Sequence, residues 1–238
     1  AEDIALGLKA ISNMTALGID QWSPIELKAP PKEAHEELAM ILNFVEAHIV
    51  WPTHILYNII VLMGNPTGGT RPIALMPMLY RIWTKVRKPY LTEWESEHIG
   101  DWDAAIKGSS ALREAVLSQL HDEIAHYTEK DNGAILFDMA KFYDNIDIIE
   151  LCTQASDTEY HPLLLALGMQ MHMALRGIKA YNTHPGCCCP TNGIIAGCTQ
   201  STSFSKILLH KLLDHYYLQW CQQQVIHERH LRLSLIHI

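Results

Sequence analysis

Tyr57-Asn58-Ile59-Ile60-Val61-Leu62-Met63, followed by Gly64-Asn65-Pro66-Thr67-Gly68-Gly69-Thr70 and then Arg71-Pro72-Ile73-Ala74-Leu75, decides how the fold is read. The first run is rich in β-branched residues, the second in turn formers, and the third is a candidate return strand, so the three together predict a β-hairpin. Pro77-Met78-Leu79-Tyr80-Arg81-Ile82-Trp83 follows at once. Its spacing predicts a helix over 78–94, with Leu79, Ile82, Trp83 and Val86 on one side and the basic residues largely on the other. Pro89 should kink or shorten that helix, because it offers no N–H to the ladder.

Working upstream, residues 18–24 read as a loop, and Pro31 stands where a helix over 32–48 can start. Downstream, Ser109 or Ser110 can cap a helix running to about 128. Asp131-Asn132-Gly133 is a turn before a short apolar strand over 134–137, with Asp138 at its end. Helical patterns follow over 146–154 and 162–175, then a strand over 177–181, a cysteine-rich loop, and a helix over 199–222. Strands and helices mix without a regular βαβ repeat, so the class is α+β rather than a doubly wound sheet. No repeat occurs at solenoid periods.

The 238 residues are 48% hydrophobic and only 18% charged, which excludes an intrinsically disordered chain and is enough for one to two domains. No apolar run reaches the length of a membrane span, since Asn58 interrupts the longest, 55–63. No secretory signal is visible, and the absence of an initial Met reads as a cut or processed end. Six cysteines, three of them consecutive (Cys187, Cys188, Cys189), do not make a disulfide scaffold and read as reduced intracellular thiols. His184 beside them raises a zinc site, but adjacent cysteines cannot all point at one metal, so plain thiols are the reading. The net charge is −8, yet between Glu46 and Glu93 there is no acid and there are five bases, Arg71, Arg81, Lys85, Arg87 and Lys88. A local basic face can hold a polyanion on an acidic body.

Three blocks, in this order, resemble the reverse transcriptase domain, especially that of non-LTR retroelements. They are Trp51-Pro52 through Gly68-Gly69-Thr70-Arg71-Pro72-Ile73-Ala74-Leu75 and on to Trp83; Leu136-Phe137-Asp138-Met139-Ala140-Lys141-Phe142-Tyr143-Asp144; and Gly193-Ile194-Ile195-Ala196-Gly197-Cys198. With the Gly18-Ile19-Asp20 loop the resemblance covers about residues 15–225. It implies right-hand polymerase fingers over 1–130 and a partial palm over 131–232, helix-rich and incomplete at the C-terminus. It further implies deoxynucleotide addition to a DNA primer on an RNA template, with Mg²⁺, or Mn²⁺ in its place, as the cofactor and no membrane partner.

Under that resemblance Asp138 is the catalytic carboxylate and a metal ligand, with Met139 adding its backbone carbonyl. Tyr143 takes the place of the aromatic gate whose ring leaves no space for a 2′-hydroxyl. Asp144 reads as a helix N-cap. Arg71 matches the finger arginine that forks onto the incoming triphosphate. Gly197 lies where a side chain would obstruct template base and nucleotide. Arg81, Lys85 and Lys88, at i, i+4 and i+7, can share one side of a helix, and a template strand and plain solvent fit that side equally.

Two positions depart from the family pattern: Asn65 stands where a lysine is usual, and Ala196 where a glutamine is usual. An aromatic-x-Asp-Asp hairpin, expected a few dozen residues after the third block, is not found between Gly197 and Ile238. One carboxylate does not hold two metals, so the chain as it stands should be inert. Residues 233–238, Leu-Ser-Leu-Ile-His-Ile, look like the translation of a transposase library adapter. The alternative reading is a degenerate, non-catalytic nucleic-acid-binding remnant.

Overall fold

A computed structural model describes residues 1–64, 68–98, 100, 103, 110–130, 132–134, 141–180, 183–227 and 230–232. The elements are α1 (Glu2–Lys9), α2 (Pro24–Lys28), α3 (Lys32–His48), β1 (Tyr57–Gly64), β2 (Thr70–Leu75), α4 (Met78–Val86), α5 (Lys88–Glu97) and α6 (Ala111–Tyr127), followed by β3 (Asn132–Ala134), α7 (Ile148–Asp157), α8 (Pro162–His172), β4 (Leu175–Ala180), β5 (Thr183–Cys188), α9 (Ser201–His227) and β6 (His230–Arg232). The main sheet has the order β2-β1-β4-β5, and β3 and β6 form a second, parallel pair. β1 runs antiparallel to β2 and parallel to β4, so strands from both halves of the chain share one sheet. The result is helix-rich α+β with a small mixed sheet.

The hairpin forms where the sequence places it, with Val61 opposite Ile73 and Met63 opposite Arg71. The predicted 78–94 helix is two helices: α4 stops at Val86, and α5 restarts at Lys88 with Pro89 in its first turn, where a missing N–H costs nothing. Ser110 caps α6 by accepting the Arg113 N–H.

The core sits between α4, α8, α9 and the segment before β1. Trp51 packs edge-on against Tyr80 and Trp83, and its indole N–H donates to the Leu167 carbonyl at 3.0 Å. Met78, Ile82, Leu151, Leu164, Leu167, Met171 and Phe204 complete it, each fully or almost fully buried. Each such side chain contributes roughly 1.5–3 kcal/mol of apolar transfer. Glu46, on α3, accepts from Trp83 Nε1 and Arg87 Nε, tying α3 to the end of α4.

Several expectations need correction. The 162–175 helix ends at His172, and Leu175 already pairs with Tyr57 as strand, because pairing of β4 between β1 and β5 competes with another helical turn. Cys187 and Cys188 lie in β5, paired with Gly177 and Arg176, rather than in a loop. The α7 cap is Asp147, whose carboxylate accepts the Ile149 and Glu150 N–H groups, whereas Asp144 belongs to a 3-10 turn, Phe142–Asn145. Asn132 and Gly133, expected in a turn, belong to β3 (Asn132–Ala134), and the rest of the expected 134–137 strand lies outside the described residues. No described helix is long and apolar enough to cross a membrane.

Candidate nucleotide site

The three blocks meet, although they are far apart in the chain. Blocks one and three touch at Tyr80 and Cys198, 118 positions apart, where the hydroxyl lies 3.3 Å from the sulfur. Tyr80 also donates to Gln200 Oε1 at 3.1 Å, and Gln200 Nε2 donates to the Leu164 carbonyl. Burial raises the pKa values of both Tyr80 and Cys198, so both stay protonated and serve as packing and hydrogen-bonding groups.

Blocks two and three are joined through their backbones. The Ile194 N–H donates to the Tyr143 carbonyl at 2.8 Å, and the Gly193 N–H donates to the Ile146 carbonyl at 2.9 Å. Gly193 has φ +78°, and a Cβ there would lie 2.7 Å from the Asp144 carbonyl oxygen and 2.9 Å from Asp144 Cα. Only glycine satisfies both constraints. Tyr143 is half-buried, with its ring 5.8 Å from that of Phe142, and Asp144 is exposed.

Gly197, four residues further along this loop, has φ +89°, but a Cβ there would meet no atom of the described residues within 4 Å. Among the described residues, crowding therefore falls on Gly193 and spares Gly197. Asp138 and Met139 lie outside the described residues, as do Asn65, Pro66 and Thr67 of the expected turn.

Arg71 is exposed on β2. Its partner Met63 shares a sheet face with Val61, and the register assigns Asn58 and Arg176 to the opposite face. The structure thus joins Tyr143 to Ile194 and Gly193, and leaves Arg71 on the hairpin, on the sheet face opposite Arg176. The 18–20 loop, in contrast, seats directly on α4. Asp20 Oδ2 accepts the Leu79 N–H at 3.1 Å, satisfying a helix-start donor, and a Cβ on Gly18 would lie 2.3 Å from the Met76 carbonyl oxygen.

The basic triplet divides. Arg81 donates to the Ala16 carbonyl at 2.7 Å, and burial lowers its pKa against the pull of Asp20. Lys85 and Lys88 line a cleft of about 300 Å³ between α1 and the α4–α5 junction, with Asp3, Leu6, Val86 and Pro89 around them. Burial, and then Lys88, lowers the Lys85 pKa.

Two residues that sequence reasoning missed stand beside the loop. His172, fully buried, accepts the Ile195 N–H on Nδ1 at 2.8 Å. Arg176 Nη2 donates to the His172 carbonyl at 3.1 Å and to the Gly193 carbonyl at 3.4 Å. Neither lies in a motif, and the one available signal was a lone arginine in a strand with no acidic residue. Among the described residues no three His, Cys, Asp or Glu side chains are grouped to hold a metal, and the cysteines there are free thiols.

No curated protein matches the chain. The sequence model of the family described as "Reverse transcriptase (RNA-dependent DNA polymerase)" matches residues 63–231, most of the chain and all three blocks apart from the first residues of block one. The chain belongs to the reverse transcriptase (RNA-dependent DNA polymerase) family.

Proposed function

We propose that this chain is the fingers (1–130) and part of the palm (131–232) of a retroelement RNA-directed DNA polymerase of the non-LTR type. The observation that carries the reading is the joint between Tyr143 and Ile194, with Gly193 pressed on Asp144. It supports a site in which the Tyr143 ring lies under the sugar of an incoming deoxynucleotide. The open space at Gly197 suits the approach of a base. Arg71, on the hairpin, is the cation for the triphosphate, and Lys85 and Lys88 are cations for the template backbone.

Asp138 offers the hard oxygen donor that Mg²⁺ prefers, and the Met139 carbonyl a second, but a single carboxylate does not fit a pair of ions. Bound there, Mg²⁺ would neutralise charge on the triphosphate. The chain's own residues bind and orient: Tyr143 excludes a 2′-hydroxyl, the 193–197 loop shapes the floor, and the cations hold phosphates. Without an Asp-Asp hairpin the 238 residues bind substrates and do not extend a primer.

Fluorescence anisotropy with a DNA primer annealed to RNA, followed over a salt series, tests this reading. Binding that weakens steeply with salt, with no nucleotide incorporated under Mg²⁺ or Mn²⁺, is expected. Absence of salt-dependent binding overturns the polymerase reading, and incorporation overturns the inactivity. Ala196 and Asn65 favour the second reading, a non-catalytic binding remnant, which predicts the same hybrid binding with no response to deoxynucleotides.

A further inference from the structure

The 193–197 loop is held from two sides. On one side the Gly193 and Ile194 N–H groups bond to the carbonyls of Ile146 and Tyr143. On the other, two side chains from the α8–β4 seam reach the loop: Arg176 donates to the Gly193 carbonyl, and His172 accepts the Ile195 N–H. Ser201 Oγ donates to the Ile195 carbonyl. Arg176 also donates to the His172 carbonyl, so the two side chains form one clamp.

The clamp is fixed. Accepting on Nδ1 places the His172 proton on Nε2. Burial, with Arg176 close by, lowers the His172 pKa to about 3, so the acceptor persists at neutral pH. Arg176 is half-buried, and its Nη2 donates to two backbone carbonyls, those of His172 and Gly193. The clamp therefore touches backbone groups within two residues of the one bonded to Tyr143. A displacement of about 1 Å in such a support is enough to degrade a binding geometry.

We propose that His172 and Arg176 are positioning residues that set the spacing between the Tyr143 ring and the 193–197 loop, and thereby how strictly the site separates deoxyribonucleoside from ribonucleoside triphosphates. The inference rests on the reading of Tyr143 as the ring under the sugar. Neither side chain need touch the nucleotide.

The test uses the full chain with a primer–RNA hybrid and Mg²⁺, titrated with dATP and with ATP, while the Ile195 amide is followed by NMR. Four variants are compared: His172→Phe, which keeps a ring and removes the acceptor; His172→Asn, which restores an acceptor near the Nδ1 position; Arg176→Lys, which keeps charge and loses the planar guanidinium; and Tyr143→Ala. Wild type is expected to prefer dATP by about tenfold or more. His172→Phe and Arg176→Lys should each cut that preference at least about threefold, and His172→Phe should shift the Ile195 amide. His172→Asn should stay within about twofold of wild type.

Equal loss in His172→Asn and His172→Phe, or an unchanged preference in His172→Phe and Arg176→Lys, overturns the proposal while leaving the Tyr143 reading intact. If His172→Phe does not fold, the Arg176→Lys and His172→Asn ratios decide. A dATP preference that survives Tyr143→Ala, or wild type binding neither nucleotide, overturns the Tyr143 reading and the proposal with it.

Discussion

Gly193 lies against Asp144 so closely that a methyl group on it would meet the Asp144 carbonyl oxygen at 2.7 Å, and its φ of +78° already excludes most side chains. Gly197, on the same loop, carries the backbone constraint alone. Gly193→Ala should therefore cost roughly 2–4 kcal/mol, combining left-handed strain with displaced backbone, and Gly197→Ala only about 1–2 kcal/mol. Urea midpoints of the two variants at constant m-value check the difference. Equal losses would place the two glycines in equivalent surroundings, contrary to the geometry.

His172 gives the fold a pH dependence of defined sign. Its pKa is lowered to about 3 in the folded chain, chiefly by burial, from an ordinary value of 6.5. The unfolded chain binds the extra proton between those values, so stability is fully present above pH 6.5 and falls as pH drops toward 3. The slope from this one group approaches about 1.4 kcal/mol per pH unit. Denaturant titrations from pH 7 to 4 should show it, and His172→Asn should flatten the profile by that amount.

Glu46 is the joint between α3 and the α4–α5 break. It takes hydrogen bonds from Trp83 Nε1 at 2.7 Å and Arg87 Nε at 2.6 Å, with its side chain 13% exposed. Glu46→Ala should cost about 2–4 kcal/mol, since it leaves a partly buried guanidinium and an indole N–H unpaired. Glu46→Gln keeps one acceptor and should cost roughly half as much. Thermal melts of both variants check the ordering, and a Glu46→Ala effect below about 0.5 kcal/mol would reduce the pair to a surface contact.

How much was legible follows from the range of each interaction. The β1–β2 hairpin was readable because turn residues and both strands are neighbours in sequence. So was the break near Pro89, a local consequence of one missing N–H. The β1–β4 pairing was not, since Asn58 and Arg176 meet across the whole intervening chain and no local pattern marks the partner. α1 escaped notice because its burial depends on α4, with Gly7 fitted against Val86 and Lys85. Tyr143 and Gly193 were singled out through the family pattern, whereas His172 and Arg176 bond to backbone groups and carry no signature. Asp144 and Asp147 differ by three positions, and only the helix start distinguishes the capping one.

The central claim is that Tyr143 and the 193–197 loop form one nucleotide site with Asp138. Paramagnetic broadening by Mn²⁺ with dATP, on the isotope-labelled chain bound to a primer–RNA hybrid, tests it most directly. The amides of Tyr143, Ile194 and Gly197 should broaden first, and the effect should disappear in Asp138→Asn. Broadening that spares these amides, or that persists unchanged in Asp138→Asn, would contradict it.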